Sequence, residues 1–258
     1  MGDPDASGYQ IEDNKTMGIL NPSETATVNV SFLLNSGMNW IFVLIDPDNI
    51  LNESDENNNK INNSVSVVLY QYYYGNVTAD ILLGYETNTS IIAFGNTTTY
   101  DGHLFVADQD SVFSFNDLQA IGRTKNDLPT ADDFSEVDGI LNTSLFIDSV
   151  NSVWTNNTNV PLETVQLNMS SKIIYNVPIV NTTNTTYFST GILWDTSDDL
   201  SLNDQYDSSD IEDVVFVTQV KIPVQGEFGI YSYEIKVPAK LRDYKGTNDK
   251  VDFYYELK

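Results

Sequence analysis

At 258 residues, with 41% apolar and 12% aromatic content, the chain carries enough apolar side chains to build a core, which excludes wholesale disorder. Thirty-seven acidic residues against 12 basic ones give a net charge of −25, a sign that excludes capture of nucleic acid or an anionic membrane surface by long-range attraction. Cysteine is absent, so disulfides, thiolate metal sites and cysteine nucleophiles are excluded as well. A eukaryotic secreted module of this size would usually carry disulfides, so prokaryotic export is favoured.

The charge is uneven. Residues 1–220 hold 31 acids and five bases, whereas residues 221–258 hold six acids and seven bases. The last stretch is therefore electrostatically a different surface. The longest apolar run, Trp40 to Ile45, is far below the roughly 20 residues of a membrane helix, so no membrane-spanning segment is expected. No basic-then-apolar leader opens the chain, which suggests a processed or excised piece.

In chain order, Ala26, Val28, Val30 and Phe32 alternate with Thr25, Thr27, Asn29 and Ser31, the pattern of a half-buried strand. Gly37 precedes a buried strand over 40–45. Asp46-Pro47-Asp48-Asn49 is a turn tetrapeptide, with proline fixing φ and Asp and Asn able to bond their own backbone. A strand over 61–73 ends in Tyr72-Tyr73-Tyr74, and Gly75 marks a break. Two domains are read there, 1–74 and 75–258. Strands follow at 76–83, 89–94 and 103–107. Ser114 is placed to cap a short helix through Asp117, Leu118 and Ile121, and Thr130 another through Phe134 and Val137. Further strands are expected at 144–150, 172–180, 186–194, 214–217, 231–237 and 251–258. Val214 to Val217, apolar on both faces, reads as a central strand. The fold class is mainly β, a partial sandwich followed by a larger β-rich domain with one or two short helices.

Leu20-Asn-Pro-Ser-Glu-Thr-Ala-Thr-Val-Asn-Val-Ser-Phe32, Gly37, Ile45-Asp-Pro-Asp-Asn49, Glu53-Ser-Asp-Glu-Asn-Asn-Asn59 and Val65-Ser-Val67 stand in an order that resembles the CARDB family. These are cell-adhesion-related, immunoglobulin-like modules of bacterial and archaeal surface proteins. The resemblance covers about residues 18–68 and implies the C-terminal part of such a module. An immunoglobulin-like sandwich has about seven strands in about 100 residues. Three or four are expected here, so an apolar face over 40–45 and 65–69 needs cover. That cover is expected from the region after 75, from a second copy through the incomplete sandwich, or from upstream chain. A fainter likeness, to β-grasp modules of secreted proteins, covers 76–122.

Asn-X-Ser/Thr sequons begin at Asn29, Asn52, Asn62, Asn76, Asn88, Asn96, Asn142, Asn156, Asn168, Asn181 and Asn184, roughly twice what chance placement gives. A composition rich in Asn and Thr makes some as a by-product; acceptors of glycans must sit on the surface. Archaea glycosylate surface proteins through this sequon, so an archaeal envelope glycoprotein is expected.

The acidic stretch after Trp194 is the candidate metal loop. Calcium takes six to eight oxygens from a flexible loop, and Asp195, Asp199, Ser201, Asn203, Asp207 and Asp210 supply side-chain oxygens at an EF-type spacing from Asp199. Asp204 stands where that turn wants glycine, and a solvated acidic loop is the plain alternative. Asp46, Asp48, Glu53, Asp55 and Glu56 form a second oxygen group, better read as turn-forming side chains. His103 is the single histidine, and no Gly-x-Ser-x-Gly elbow accompanies it, so it reads as a strand-edge residue. Tyr70, Tyr72, Tyr73 and Tyr74 with Trp154 and Trp194 are either a sugar-stacking platform or core aromatics.

These features point to an extracellular or cell-envelope protein, a structural or binding module with other surface proteins or glycans as partners and calcium as its candidate cofactor. No catalytic set is singled out. A carbohydrate-binding or polysaccharide-active exported protein is the alternative.

Overall fold

The computed structural model describes residues 10–11, 14–16, 18, 20–21, 23–32, 34, 37–55, 57–67, 69–77, 79–85, 88–94, 102–108, 111–130, 132–200, 202–206, 213–239 and 251–256. For 37, 79–85, 88–94 and 198 only the backbone is described. The chain divides into two compact units, Met1–Val68 and Leu69–Lys258. The division precedes the expected boundary because the tyrosine-rich strand at 70–75 pairs within the second unit.

In the first unit, β1 (Gly37–Leu44) and β2 (Lys60–Val67) pair antiparallel from Gly37↔Val67 to Leu44↔Lys60. The turn chemistry beyond β1 works as its residues dictate. Asp46 takes φ 45° and its carboxylate accepts the Ile50 and Leu51 N–H groups at 3.0 and 2.7 Å. Asp55 likewise accepts the Asn57 N–H at 3.0 Å. The expected strand at 25–32 is not formed: these residues pair with no strand among the described residues, and Val28 and Val30 are exposed. Alternation marks two faces but supplies no partner. Asn39 is buried, whereas Trp40, Val43 and Leu44 stay 47, 53 and 40% exposed.

The second unit begins with β3 (Tyr70–Gly75), followed by the hairpin β4 (Ala79–Tyr85) and β5 (Asn88–Phe94), then β6 (Gly102–Asp108) and β7 (Leu118–Ala120). Helices α1 (Asp133–Ile140) and α2 (Val150–Thr155) precede β8 (Thr164–Asn168), β9 (Ile173–Asn181), β10 (Ser189–Asp195) and β11 (Val214–Val220). The chain closes with β12 (Val224–Gly226), β13 (Gly229–Tyr231), β14 (Tyr233–Pro238) and β15 (Val251–Tyr255). A seven-stranded sheet runs β15-β6-β11-β10-β9-β8, with β7 beside the far end of β10. Two-stranded sheets β14-β3, β12-β13 and β4-β5 accompany it, every pairing antiparallel.

Strands β6, β10 and β11 are apolar on both faces, as central strands must be, and successive residues supply two cores. Val106, Ile192, Trp194 and Phe216 face one core, filled by Phe134, Val137, Leu141, Val150 and Trp154 of the helical segment and by Ile235 and Val237 of β14. Phe105, Leu193, Val215 and Val217 face the other, shared with Leu167, Ile174 and Val177.

Both helices differ from expectation. Residues 144–149 are turns leading into α2, which opens at Val150 because Ser149 accepts the Ser152 N–H at 3.2 Å and Val150, Val153 and Trp154 recur at helical spacing. Residues 115–117 are a turn rather than the helix expected from Ser114, and Leu118–Ala120 is strand β7, drawn into extended form by pairing with β10. Among the described residues of 76–122 the strand–strand–helix order of a β-grasp unit is therefore not present. Helix α1 lies where Thr130 pointed, but its N-cap is Asp132 at φ 73°, without a side-chain capping bond.

Candidate functional site

Between Val165 and Leu167 of β8 the register with β9 shifts, and Asn176 of β9 takes φ 56° there. Asparagine tolerates this left-handed turn, and its amide donates to the Asp127 carboxylate at 3.2 Å. A bulge of this kind re-aims the side chains beside it. On that face, near the ends of β6, β8, β9, β10 and β11, a cleft of about 450 Å³ opens. This is within the usual size range of small-ligand sites.

Val177, Gly191 and Val217 form its apolar floor. A Cβ on Gly191 would lie 2.9 Å from Val217 Cγ1 and 3.1 Å from Val177 Cγ1, so the depression exists because that side chain is missing. Gln166, Asn168, Ser189 and Gln219 bring amide and hydroxyl groups to the rim, with His103 and Lys221.

His103 is 6% exposed and its Nδ1 lies 2.6 Å from Glu256 Oε2. Burial by itself would raise the Glu256 carboxyl, but bonds from His103 and from the Ser170 N–H outweigh it and hold the group below its ordinary value. His103 is not on a sheet edge: β6 lies between β15 and β11, and His103 is level with Gln219. The Lys221 ammonium donates to the Tyr187 carbonyl at 2.6 Å and sits 5.7 Å from the Phe188 ring, and burial lowers its pKa. A floor of aliphatic groups under amide and hydroxyl groups, with the Lys221 ammonium already donating to the Tyr187 carbonyl, suits a polar ligand.

In the acidic stretch, Asp195, Asp199 and Asn203 accept backbone N–H groups, and Asp204 pairs with Lys125 and Asn126. Asp195 is fully buried; its Oδ2 accepts the Ser114 N–H at 2.7 Å and its Oδ1 the Ser197 N–H at 3.0 Å. Asp199 accepts the Asp204 N–H at 2.8 Å, and Asn203 accepts the Gln205 N–H at 2.8 Å. Ser201, Asp207 and Asp210 lie outside the described residues. Among the described residues no three His, Cys, Asp or Glu side chains gather as a metal group. Of the second acidic group, Asp46 and Asp55 cap turns, as their residue types indicate, and Glu56 lies outside the described residues.

Of the sequon asparagines, Asn29, Asn52, Asn62, Asn76, Asn142, Asn156, Asn168, Asn181 and Asn184 are all exposed; the side chains of Asn88 and Asn96 lie outside the described residues. Asn14-Lys15-Thr16 is a further sequon, and Asn14 is exposed too. Of the fourteen described asparagines without the motif, Asn39 is buried and Asn59, Asn151, Asn159 and Asn176 are half-buried, while the other nine are exposed.

The aromatic candidates divide. Tyr70, Trp154 and Trp194 are core, 5, 0 and 0% exposed, so they form no platform. Tyr72 and Tyr74 are exposed and meet Phe228 from the β12–β13 turn, with ring centroids 6.2 and 4.9 Å away. Sequence reasoning missed Phe228, whose approach depends on a pairing between distant segments.

No family model, curated protein or solved structure matches the chain.

Proposed function

We propose that this chain is an extracytoplasmic surface or adhesion protein, a glycan-bearing binding module of a cell envelope rather than an enzyme. Its first unit is read as the end of a CARDB-like sandwich, and the second as the domain that presents a ligand cleft. The observation that carries the reading is the exposure of all ten described sequon asparagine side chains, against nine of the fourteen described asparagines that lack the motif. The strongly acidic surface fits a displayed protein that stays soluble among anionic polymers. Mass-spectrometric mapping of peptides from the protein in its native source tests it. Glycans on several of Asn142, Asn156, Asn168, Asn181 and Asn184 are expected; unmodified asparagines throughout would sink the reading.

Carbohydrate binding is the second reading, favoured by Tyr72, Phe228 and Tyr74, which present three adjoining and half-exposed rings. Sugars offer flat C–H faces that stack on such rings. Affinity electrophoresis in neutral polysaccharides checks it, with Phe228→Ala as the control that should lose retardation.

A further inference from the structure

The cleft of the second unit is the open end of its second core. His103 precedes Phe105 and Ala107 on one face of β6, and Gln219 follows Val215 and Val217 on one face of β11. Over that face the sheet curls until its two ends touch. Strands β8 and β15 are its outermost members, yet the Ser170 N–H just beyond β8 donates to the Glu256 carboxylate just beyond β15. The β8 segment is thereby held beside the cleft whose floor is Val177, Gly191 and Val217.

Asn168 is the last residue of β8, and it lines that cleft. It also heads the sequon Asn168-Met169-Ser170, and among the described residues no other sequon asparagine lines the cleft. Asn168 is exposed, as a glycan acceptor must be. The Gln166 amide donates to its Oδ1 at 2.6 Å. That bond engages the amide oxygen, whereas Nδ2 is the atom that carries a sugar. A chain attached there starts on the rim of a depression of about 450 Å³. Sugar rings present apolar C–H faces and a belt of hydroxyls, the complement of an aliphatic floor under amide and hydroxyl groups.

We propose that the cleft is the seat of the chain's own glycan, with the first sugars linked to Asn168 lying on the floor around Gly191 and bonding Ser189 and Gln219. This placement rests on the reading of the chain as an exported glycoprotein and assigns the ligand of its cleft. The linkage forms when Asn168 Nδ2 attacks the anomeric carbon of a lipid-linked glycosyl phosphate. The bond from that carbon to the phosphate oxygen breaks, the phosphate leaves with the electron pair, and the nitrogen gives up one proton. A sugar tethered at the rim needs little intrinsic affinity, because a short linker gives it an effective concentration on the order of millimolar. A soluble ligand then reaches the cleft only in chains whose Asn168 is bare.

The test is a crystal structure of the folded protein purified from its native source, with glycopeptide mass spectrometry of the same preparation. Sugar density joined to Asn168 Nδ2 is expected inside the cleft, in contact with Val217 and Gln219. Glycans at Asn142 and Asn156, on the helical segment that fills the opposite core, are expected to extend into solvent. A glycan on Asn168 that leaves the cleft empty overturns the proposal. So does a bare Asn168 beside sugars at other sequons, a result that leaves the surface-protein reading standing. Bare asparagines at every sequon sink that reading and this proposal together.

Discussion

His103 Nδ1 and Glu256 Oε2 stand 2.6 Å apart although 153 positions separate them, and this contact ties the chain just beyond β15 to the start of β6. Glu256 also accepts the Ser170 N–H, so one carboxylate serves two distant segments. Its pKa is depressed in the folded state, so its contribution is present above the unfolded value of 4.5 and is lost as pH falls through the folded value. Glu256→Gln should cost on the order of 1–3 kcal/mol near neutrality. Denaturant titrations should show that cost shrinking below pH 4.5; a constant difference down to strong acid would contradict the assignment.

Asp133 works in the opposite sense. It is 2% exposed, and burial raises its pKa from 3.8 to about 6 against the pull of the Gly122 N–H at 2.8 Å. The folded state binds the proton more tightly, so this group's favourable term is full below pH 3.8 and is lost as pH rises through about 6. Asp133→Asn keeps an oxygen for the Gly122 N–H, which belongs to a residue at φ 81° and is fixed by that turn. The variant should gain on the order of 1–3 kcal/mol at pH 8, with the gain vanishing in acid. A loss of stability at pH 8 would show that the carboxylate does more there than accept one bond.

Gly191 sets the depth of the cleft. Gly191→Val should destabilise by about 1–3 kcal/mol through its clash with Val217 and Val177. It should also abolish binding of any ligand found by screening neutral polar compounds against the wild type. Retained affinity in a folded Gly191→Val protein would remove the cleft as the site.

The exposed rings give a separate expectation. Tyr72→Ala and Tyr74→Ala, each more than 40% exposed, should weaken retardation in polysaccharide gels while shifting the thermal midpoint little. Loss of folding instead of loss of binding would make these rings structural.

Much of the strand content was legible because the period-2 pattern is local. Tyr233–Val237 and Val251–Tyr255 carry their own faces in sequence and are strands, the run expected from 231 being broken at Ser232, whereas Val214–Val217 is legible by its unbroken apolar run. Thr25–Phe32 shows why the pattern is insufficient: alternation without a neighbour gives no ladder. Helix α2 was hidden because its six residues are too short for a helical period to stand out from an apolar run. The site was less legible still. Gly191, Gln219 and His103 come together through pairings of β6, β10 and β11 that no spacing announces, and Asp195 looks like a ligand until Ser114 and Ser197 are seen to occupy it.

Labelling intact cells of the native source with a membrane-impermeant amine reagent tests the central claim most directly. Lys125, whose side chain is 46% exposed beside Asp204, and the exposed Lys15 are the residues to follow by peptide mass spectrometry. A surface-displayed protein predicts that both are modified before lysis. Modification that appears only after the cells are broken would contradict extracytoplasmic display.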